Sequence, residues 1–177
     1  MKISIIIPVF NEASTILKIL KKIKKIKKIN KEVIIINDGS TDETKKIIEK
    51  KCRGLFSKLI SYKHNRGKGY ACRKGLKNVT GKIVIIQDAD LEYDPKDYLK
   101  LLNPILKKKT NVVYGSRVLK GGVRIRPRSF DVVIRLSANH FLTFLSNLLN
   151  NHNLTDAHTC YKVFKSNLIK KINLYED

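Results

Sequence analysis

The 177 residues include 37 lysines and arginines against 15 acids, a formal charge of +22, and 42% are hydrophobic. That apolar content can bury a core and excludes wholesale disorder, while no run of about 18 apolar residues marks a membrane-spanning helix. Three dispersed cysteines, Cys52, Cys72 and Cys160, exclude a disulfide scaffold, offer no zinc spacing and fit a reducing compartment. The opening Met1-Lys2-Ile3-Ser4 runs straight into an apolar stretch with no small-residue cleavage site, so no secretory signal is expected. The positive excess would draw nucleic acid, anionic lipid or phosphorylated substrates. Yet Lys21-Lys22, Lys24-Lys25 and Lys27-Lys28 recur as the solvated face of a helix. No nucleic-acid-binding motif is present and aromatics are not interleaved with the basic clusters, so nucleic acid is not expected as a partner.

Taken in chain order, Ile3 to Val9 reads as a buried strand. A helical pattern follows over Ala13 to Ile29, with one apolar stripe at positions 16, 19, 20, 23, 26 and 29. Val33 to Ile36 is the next strand. Ser40-Thr41-Asp42-Glu43 then offers N-cap oxygens and first-turn acids to a helix over Thr41 to Lys51. A weaker strand is expected at Leu59 to Tyr62, a helix at Gly69 to Asn78 and a strong strand at Ile83 to Ile86. Asp94-Pro95 supplies a cap and a first-turn proline to a helix over Pro95 to Lys108, before a strand at Val112 to Tyr114. Past residue 117 the texture changes. Gly121-Gly122 with Arg124, Arg126 and Arg128 reads as a basic loop, and Phe130 to Leu149 as one or two aliphatic helices. Thr155 to Phe164 reads as a polar turn and a short strand. This alternation predicts an α/β fold, a mostly parallel sheet with helices on both faces.

Such sheets bind ligands beyond the carboxyl ends of their strands, so the residues just after each apolar run carry the functional reading. Asp88-Ala89-Asp90 follows an aliphatic strand directly, with Glu92 two positions on. Carboxylates alternating along an extended segment converge on a hard cation such as Mg²⁺ or Mn²⁺, whose open position accepts diphosphate oxygens. In isolation the tripeptide describes a solvated strand end; its place among other rim residues favours a site. Asp38 suits a base edge or ribose hydroxyl, although Asp38-Gly39-Ser40 also describes an ordinary turn. Glu12 reads either as a rim ligand or as an acid complementing the dipole of the first helix.

Asn65-Arg66-Gly67-Lys68-Gly69 leads into a helix start suited to an anion, without phosphate-loop spacing. Lys68 reads equally as a phosphate contact or as part of a basic turn. Arg117 stands at a strand end, where a guanidinium can grip phosphate bidentately. Asp156, Thr159 and Lys162 form a second cluster, with Lys162 suited to a phosphate and Asp156 to a hydroxyl. His64, His140, His152 and His158 are dispersed, and no Ser/His/Asp arrangement stands out.

Together, Ile5-Ile6-Ile7-Pro8-Val9-Phe10-Asn11-Glu12, Asn37-Asp38-Gly39-Ser40-Thr41-Asp42 and Asp88-Ala89-Asp90 resemble the family 2 inverting glycosyltransferases, which have the GT-A nucleotide-sugar fold. Gly115-Ser116-Arg117 and the stretch Leu154 to Phe164 are similar to its polyprenyl- or dolichyl-phosphate sugar synthase branch. The likeness runs over about residues 3 to 170. It implies that Pro8, Phe10, Glu12, Ile36 and Asp38 hold the nucleoside of a nucleotide-diphosphate sugar, with Lys68 on the same donor. It further implies that Asp88, Ala89 and Asp90 hold the diphosphate, with Mg²⁺ or Mn²⁺ on Asp88, Asp90 and Glu92. Asp90 and Arg117 are then the catalytic pair, Arg117 lying near the diphosphate and the acceptor phosphate.

In that branch a polyprenyl phosphate attacks the anomeric carbon with inversion and, being anionic already, needs no strong base. The resemblance puts Phe130 to Leu149 at the membrane face and Arg124, Arg126 and Arg128 at lipid headgroups. It implies a cytoplasmic protein, peripheral at the membrane, with a membrane-anchoring subunit as a further partner. In these terms the chain is one domain, with 1–117 as the donor-binding core and 118–177 as the acceptor- and membrane-facing part. Lys162 and Asp156 then belong to the acceptor side. Asn37 departs from the usual Asp-Asp-Gly pattern, and the acceptor-loop arginine is either Arg128 or Arg135. Family members continue into a segment whose Arg and Lys grip the donor phosphates, so the C-terminal part is expected to be shortened relative to the family. A saccharide acceptor, requiring a carboxylate base, and a non-catalytic nucleotide-sugar-binding module are the alternatives.

Overall fold

The computed structural model describes residues 1–116, 130–169 and 171. The elements in chain order are β1 (Lys2–Val9), α1 (Ile16–Lys25), β2 (Asn30–Asp38), α2 (Thr44–Lys51), β3 (Lys58–Tyr62), α3 (Lys68–Leu76) and β4 (Ile83–Ile86). A single 3₁₀ turn at Pro95–Asp97 leads into α4 (Tyr98–Leu106), followed by β5 (Val112–Tyr114), α5 (Phe130–Asn150), β6 (Lys162–Lys165) and the short α6 (Ser166–Ile169). Six strands form one sheet in the order β3-β2-β1-β4-β6-β5. β1 pairs in parallel with β2 and β4, and β2 in parallel with β3. β5 and β6 run antiparallel: the amide of Lys165 donates to Asn111 O, and that of Gly115 to Tyr161 O. The expected α/β sheet is thus present, with an antiparallel pair at one edge.

Burial explains the strands. Ile5, Ile6 and Ile7 are each fully buried, as are Ile35 and Ile36, because a parallel strand covered on both faces needs apolar residues on both. On one face Ile6, Ile34, Ile36 and Val84 pack with Ala71 and Leu76 of α3. Gly75 is required there, since a Cβ would lie 2.5 Å from Ile6 Cγ2. In α1 the buried residues Ile16, Ile19, Leu20 and Ile23 keep the expected helical stripe.

Several boundaries differ from expectation. α1 stops at Lys25 and β2 begins at Asn30, so the expected helix to Ile29 is too long and the expected strand from Val33 too short. Pairing of Lys2 with Asn30 and of Ser4 with Glu32 draws the polar lead-in of β2 into the ladder. α2 begins at Thr44 rather than Thr41, because Ser40, Thr41 and Asp42 hydrogen-bond another loop.

The chain divides into two compact units, Met1–Val113 with Val163–Asp177, and Tyr114–Lys162. The boundary after Val113 comes slightly before the expected division at residue 117, and the chain returns to the first unit from Val163. Within the second unit, Asn147 of α5 exchanges hydrogen bonds with the backbone of Leu154 at 2.8 and 2.9 Å. Phe141, Phe144, Leu148 and Leu149 of α5 are more than half exposed, and Leu145 is 37% exposed. Among the described residues no helix is long and apolar enough to cross a membrane.

At the amino end of the strands, Glu32 is buried and clasps three segments. Its Oε1 accepts from Ser4 Oγ at 2.5 Å and from the Thr80 amide at 2.7 Å, and its Oε2 pairs with Lys2 Nζ at 2.6 Å. A Cβ on Gly81 would lie 2.7 Å from the Ser4 nitrogen, so only glycine fits the junction. Burial pushes the Glu32 carboxyl up, but hydrogen bonds from Lys2, Ser4 and Thr80 outweigh it and bring the value from 4.5 down to about 2. A carboxyl depressed in the folded state contributes stability above its unfolded value and loses it as pH falls towards the folded one. Glu32→Gln is therefore expected to cost about 2 kcal/mol at pH 7. In denaturant melts it should also flatten the wild-type loss of stability between pH 4.5 and about 2.

Candidate active site

Loops following β1, β2, β3 and β4 surround a cavity of about 390 Å³ in the first unit. β1 reaches it because the β1–β4 ladder ends at the pair Ile6–Ile86, two residues before Pro8. Beyond that point β1 borders the cavity, which makes a proline within a central strand tolerable. Pro8 lines the cavity with Phe10, which is 46% exposed and offers an aromatic surface.

Asp38 ends β2 and is 2% exposed. Both its carboxylate oxygens lie 3.1 Å from the amide nitrogen of Arg66, which donates to them, while Asn65 Nδ2 donates to Asp38 O at 3.1 Å. The β2 and β3 loops therefore meet directly. Gly39 makes the approach possible: its φ is +72°, and a Cβ would lie 2.5 Å from both Asn65 N and His64 C. Asn37, the departure from the acidic pair, is 1% exposed and donates through Nδ2 to Ser61 Oγ at 2.9 Å. An amide suits that buried position better than a carboxylate, whose charge would be desolvated there.

Lys68, the first residue of α3, places Nζ 2.6 Å from Asp88 Oδ1 and 2.8 Å from Oδ2. Asp88 is 8% exposed and its neighbour Ala89 is buried, both lining the cavity. Asp90, also in the lining, is exposed and accepts from the Glu92 amide at 3.0 Å through Oδ1. The turn so formed holds Leu91 at φ +69°, a conformation costly for a leucine, and costs about 1 kcal/mol.

Behind the acids, the fully buried Gln87 donates through Nε2 to Asp88 O at 2.9 Å and accepts from Tyr98 OH at 2.8 Å. Gln87 and Tyr98 escaped the sequence reading. Their one signal is a polar residue ending an aliphatic strand just before the acids.

A second clasp joins the β1 and β2 loops. Asn11, at φ +55°, accepts from the Thr41 amide at 2.8 Å, its own amide donates to Ser40 Oγ at 3.0 Å, and the Glu12 amide donates to Thr44 Oγ1 at 2.7 Å. Asp42 accepts from the amides of Thr44 and Ala13. Burial raises its carboxyl's value, but the hydrogen bonds from Thr44 and Ala13 hold it below the ordinary range. Ser40 and Thr41 thus join two loops instead of capping α2. Glu12 lines the cavity, and its side chain accepts from Thr15 Oγ1 just before α1, whose first turn holds no acid.

Of the expected site residues, Pro8, Phe10, Glu12, Asp38, Lys68, Asp88, Ala89 and Asp90 come together in this lining, with Asn65 and Gly67 added. Ile36 does not: it is fully buried in the core beside Ile6 and Ala71, because the side chain points to the α3 face of the sheet. Glu92 is exposed and outside the lining, and its amide serves the Asp90 turn. Arg117 and Arg128, with Arg124 and Arg126, lie outside the described residues, as does the side chain of Arg135 on α5. Asp156 is buried in the second unit, where Lys162 Nζ lies 5.7 Å from the Tyr114 ring centroid.

Among the described residues, no three His, Cys, Asp or Glu side chains are grouped to hold a metal. The hard oxygens of Asp88 and Asp90 nevertheless fit Mg²⁺ or Mn²⁺, which are commonly held by one or two carboxylates plus substrate phosphates and water. Because a Cβ at residue 39 meets backbone, Gly39→Ala should separate the two loops and cost about 2 kcal/mol. Thermal melts should detect this, together with faster amide exchange at Asn65 and Arg66.

Residues 4–172 match the model of glycosyl transferase family 2. The chain is 30% identical, over 69% of its length, to the dolichol-phosphate mannosyltransferase of Pyrococcus furiosus, covering 35% of that protein. It is 29% identical over 98% of its length to the dolichyl-phosphate beta-glucosyltransferase of Saccharomyces cerevisiae, covering 57% of that protein. Among solved structures, it superposes on glucosyl-3-phosphoglycerate synthase of Mycobacterium tuberculosis, in complex with Mn²⁺, uridine diphosphate and glucosyl-3-phosphoglycerate. That match has a TM-score of 0.72 at 21% identity, covering 97% of this chain and 59% of the other. The fold is that of the GT-A glycosyltransferases, and with nearly the whole chain matched by the family model, the protein belongs to glycosyl transferase family 2.

Proposed function

We propose that this chain forms the donor site of an inverting glycosyltransferase that moves a sugar from a nucleotide-diphosphate sugar to a polyprenyl phosphate. The observation that carries the reading is the meeting of Asp38, Lys68, Asp88 and Asp90 around one cavity beyond the ends of parallel strands. The names of the yeast and Pyrococcus relatives support the lipid-phosphate acceptor, and the Mn²⁺ complex of the mycobacterial neighbour supports a divalent ion.

In this reading Phe10 and Asp38 take the nucleoside, the ring by stacking and the carboxylate by accepting a hydroxyl or base N–H. Arg66 and Asn65 hold Asp38 in position for that contact. Asp88 and Asp90 would hold the Mg²⁺ or Mn²⁺, which supplies charge neutralisation to the departing diphosphate. Lys68 can exchange one of its carboxylate contacts for a diphosphate oxygen, adding positive charge where negative charge develops. An acceptor phosphate oxygen forms the new bond to the anomeric carbon as the bond from that carbon to the diphosphate breaks, its electron pair leaving with the nucleotide. The nucleophile is anionic at neutral pH, so proximity and electrostatics carry the reaction without a protein base. The role of Arg117 at the acceptor phosphate, and those of Asp156 and Lys162, belong to the same proposal.

The apolar residues that α5 exposes are read as the surface that meets the bilayer carrying the acceptor, giving a protein peripheral at the membrane. A membrane-anchoring subunit would use the same face.

Asp90→Ala should lower transfer of radiolabelled sugar to polyprenyl phosphate by about 100-fold or more, and chelation should abolish it. Full activity in chelator would refute the metal role. Phe144→Ser with Leu148→Ser should weaken sedimentation with anionic vesicles by about 10-fold while leaving nucleotide binding intact. Donor binding without turnover, by the protein with vesicles and acceptor present, would favour the non-catalytic module.

A further inference from the structure

A larger cavity, of about 620 Å³, lies in the first unit among the start of β4, the end of α4 and the end of β6. These segments place it near the amino end of β4, whereas the donor site lies beyond the strands' carboxyl ends. Ile83 and Ile105 are buried at its wall, and Leu106 is 53% exposed. Lys82, Lys108 and Lys165 also line it, and among the described residues none of the lining is acidic. Among the described residues none of these three lysines forms an ion pair.

Three like charges around one apolar hollow repel one another and leave a positive potential at its mouth. The volume falls within the range of about 300–1,000 Å³ usual for small-molecule sites, and an apolar wall with a few charged groups is their ordinary composition. A neutral apolar ligand would leave the charges uncompensated, whereas inorganic phosphate would leave the apolar wall wet. Both features are satisfied by a molecule with an anionic head and an apolar body.

We propose that this cavity binds an anionic amphiphile, its alkyl or aryl body against Ile83, Ile105 and Leu106 and its phosphate or carboxylate among Lys82, Lys108 and Lys165. The site is separate from the donor cavity, and among the described residues the two linings have none in common.

The test is a titration of the full chain with octyl phosphate below its micelle concentration, followed through isoleucine methyl resonances. Saturable shifts at Ile83 and Ile105, with a Kd on the order of 0.1 mM, are expected. Lys82→Ala with Lys165→Ala should weaken binding by about tenfold, the unperturbed methyls confirming the fold. Inorganic phosphate and the neutral octyl glucoside should each bind at least about tenfold more weakly. Equal affinity for either, an unchanged affinity in the double variant, or shifts absent from Ile83 and Ile105 would overturn the proposal.

Discussion

Everything at the rim of the 390 Å³ cavity depends on β1 being held between two parallel partners. Hydrogen-bonded to β2 on one side and β4 on the other, it is buried on both faces, and both neighbours run parallel to it. Their loops therefore leave the sheet at one end. The chain steps outward from β1 to β2 and β3, then crosses to β4 on the far side, so a crevice opens where the direction of winding reverses. Glu12, Asp38, Asp88 and Asp90 all line that crevice. Early termination of the β1–β4 ladder leaves room for Pro8 to face the cavity in place of a strand.

The rim is kept in shape by hydrogen bonds between loops. Asn11 ties to Ser40 and Thr41, Asp38 to Arg66, and Gln87 to both Asp88 and Tyr98. Buried polar groups that find such partners rigidify their surroundings, and a loop pinned at both ends loses less freedom when it binds a ligand. The Glu32 clasp plays the equivalent part at the opposite end of the sheet, joining the starts of β1 and β2 to the turn before β4.

The two aspartates beyond β4 occupy different electrostatic settings. Asp88 is buried and engaged by the ammonium of Lys68, whereas Asp90 stands exposed at the mouth with one backbone amide on it. Their alternation in sequence suggested equivalent ligands. The difference arises from α3, whose first residue brings a cation against one carboxylate and not the other, a contact spanning 20 positions along the chain.

The order of strands and helices, the burial of the isoleucine runs and the rim location of Asp38, Asp88 and Asp90 were all legible in the amino-acid sequence. Each follows from local periodicity and from the rule that parallel sheets bind at their carboxyl ends. Family membership was legible for a similar reason, since its motifs are short, contiguous and ordered along the chain. What the tertiary structure decided was pairing. It turned Ser40 and Thr41 from helix caps into a latch, drew Asn30 to Glu32 into β2 and coupled Lys68 to Asp88. Those outcomes depend on which polar groups from distant segments meet, and such encounters are set by packing in three dimensions, not by the spacing of residues along one strand or helix.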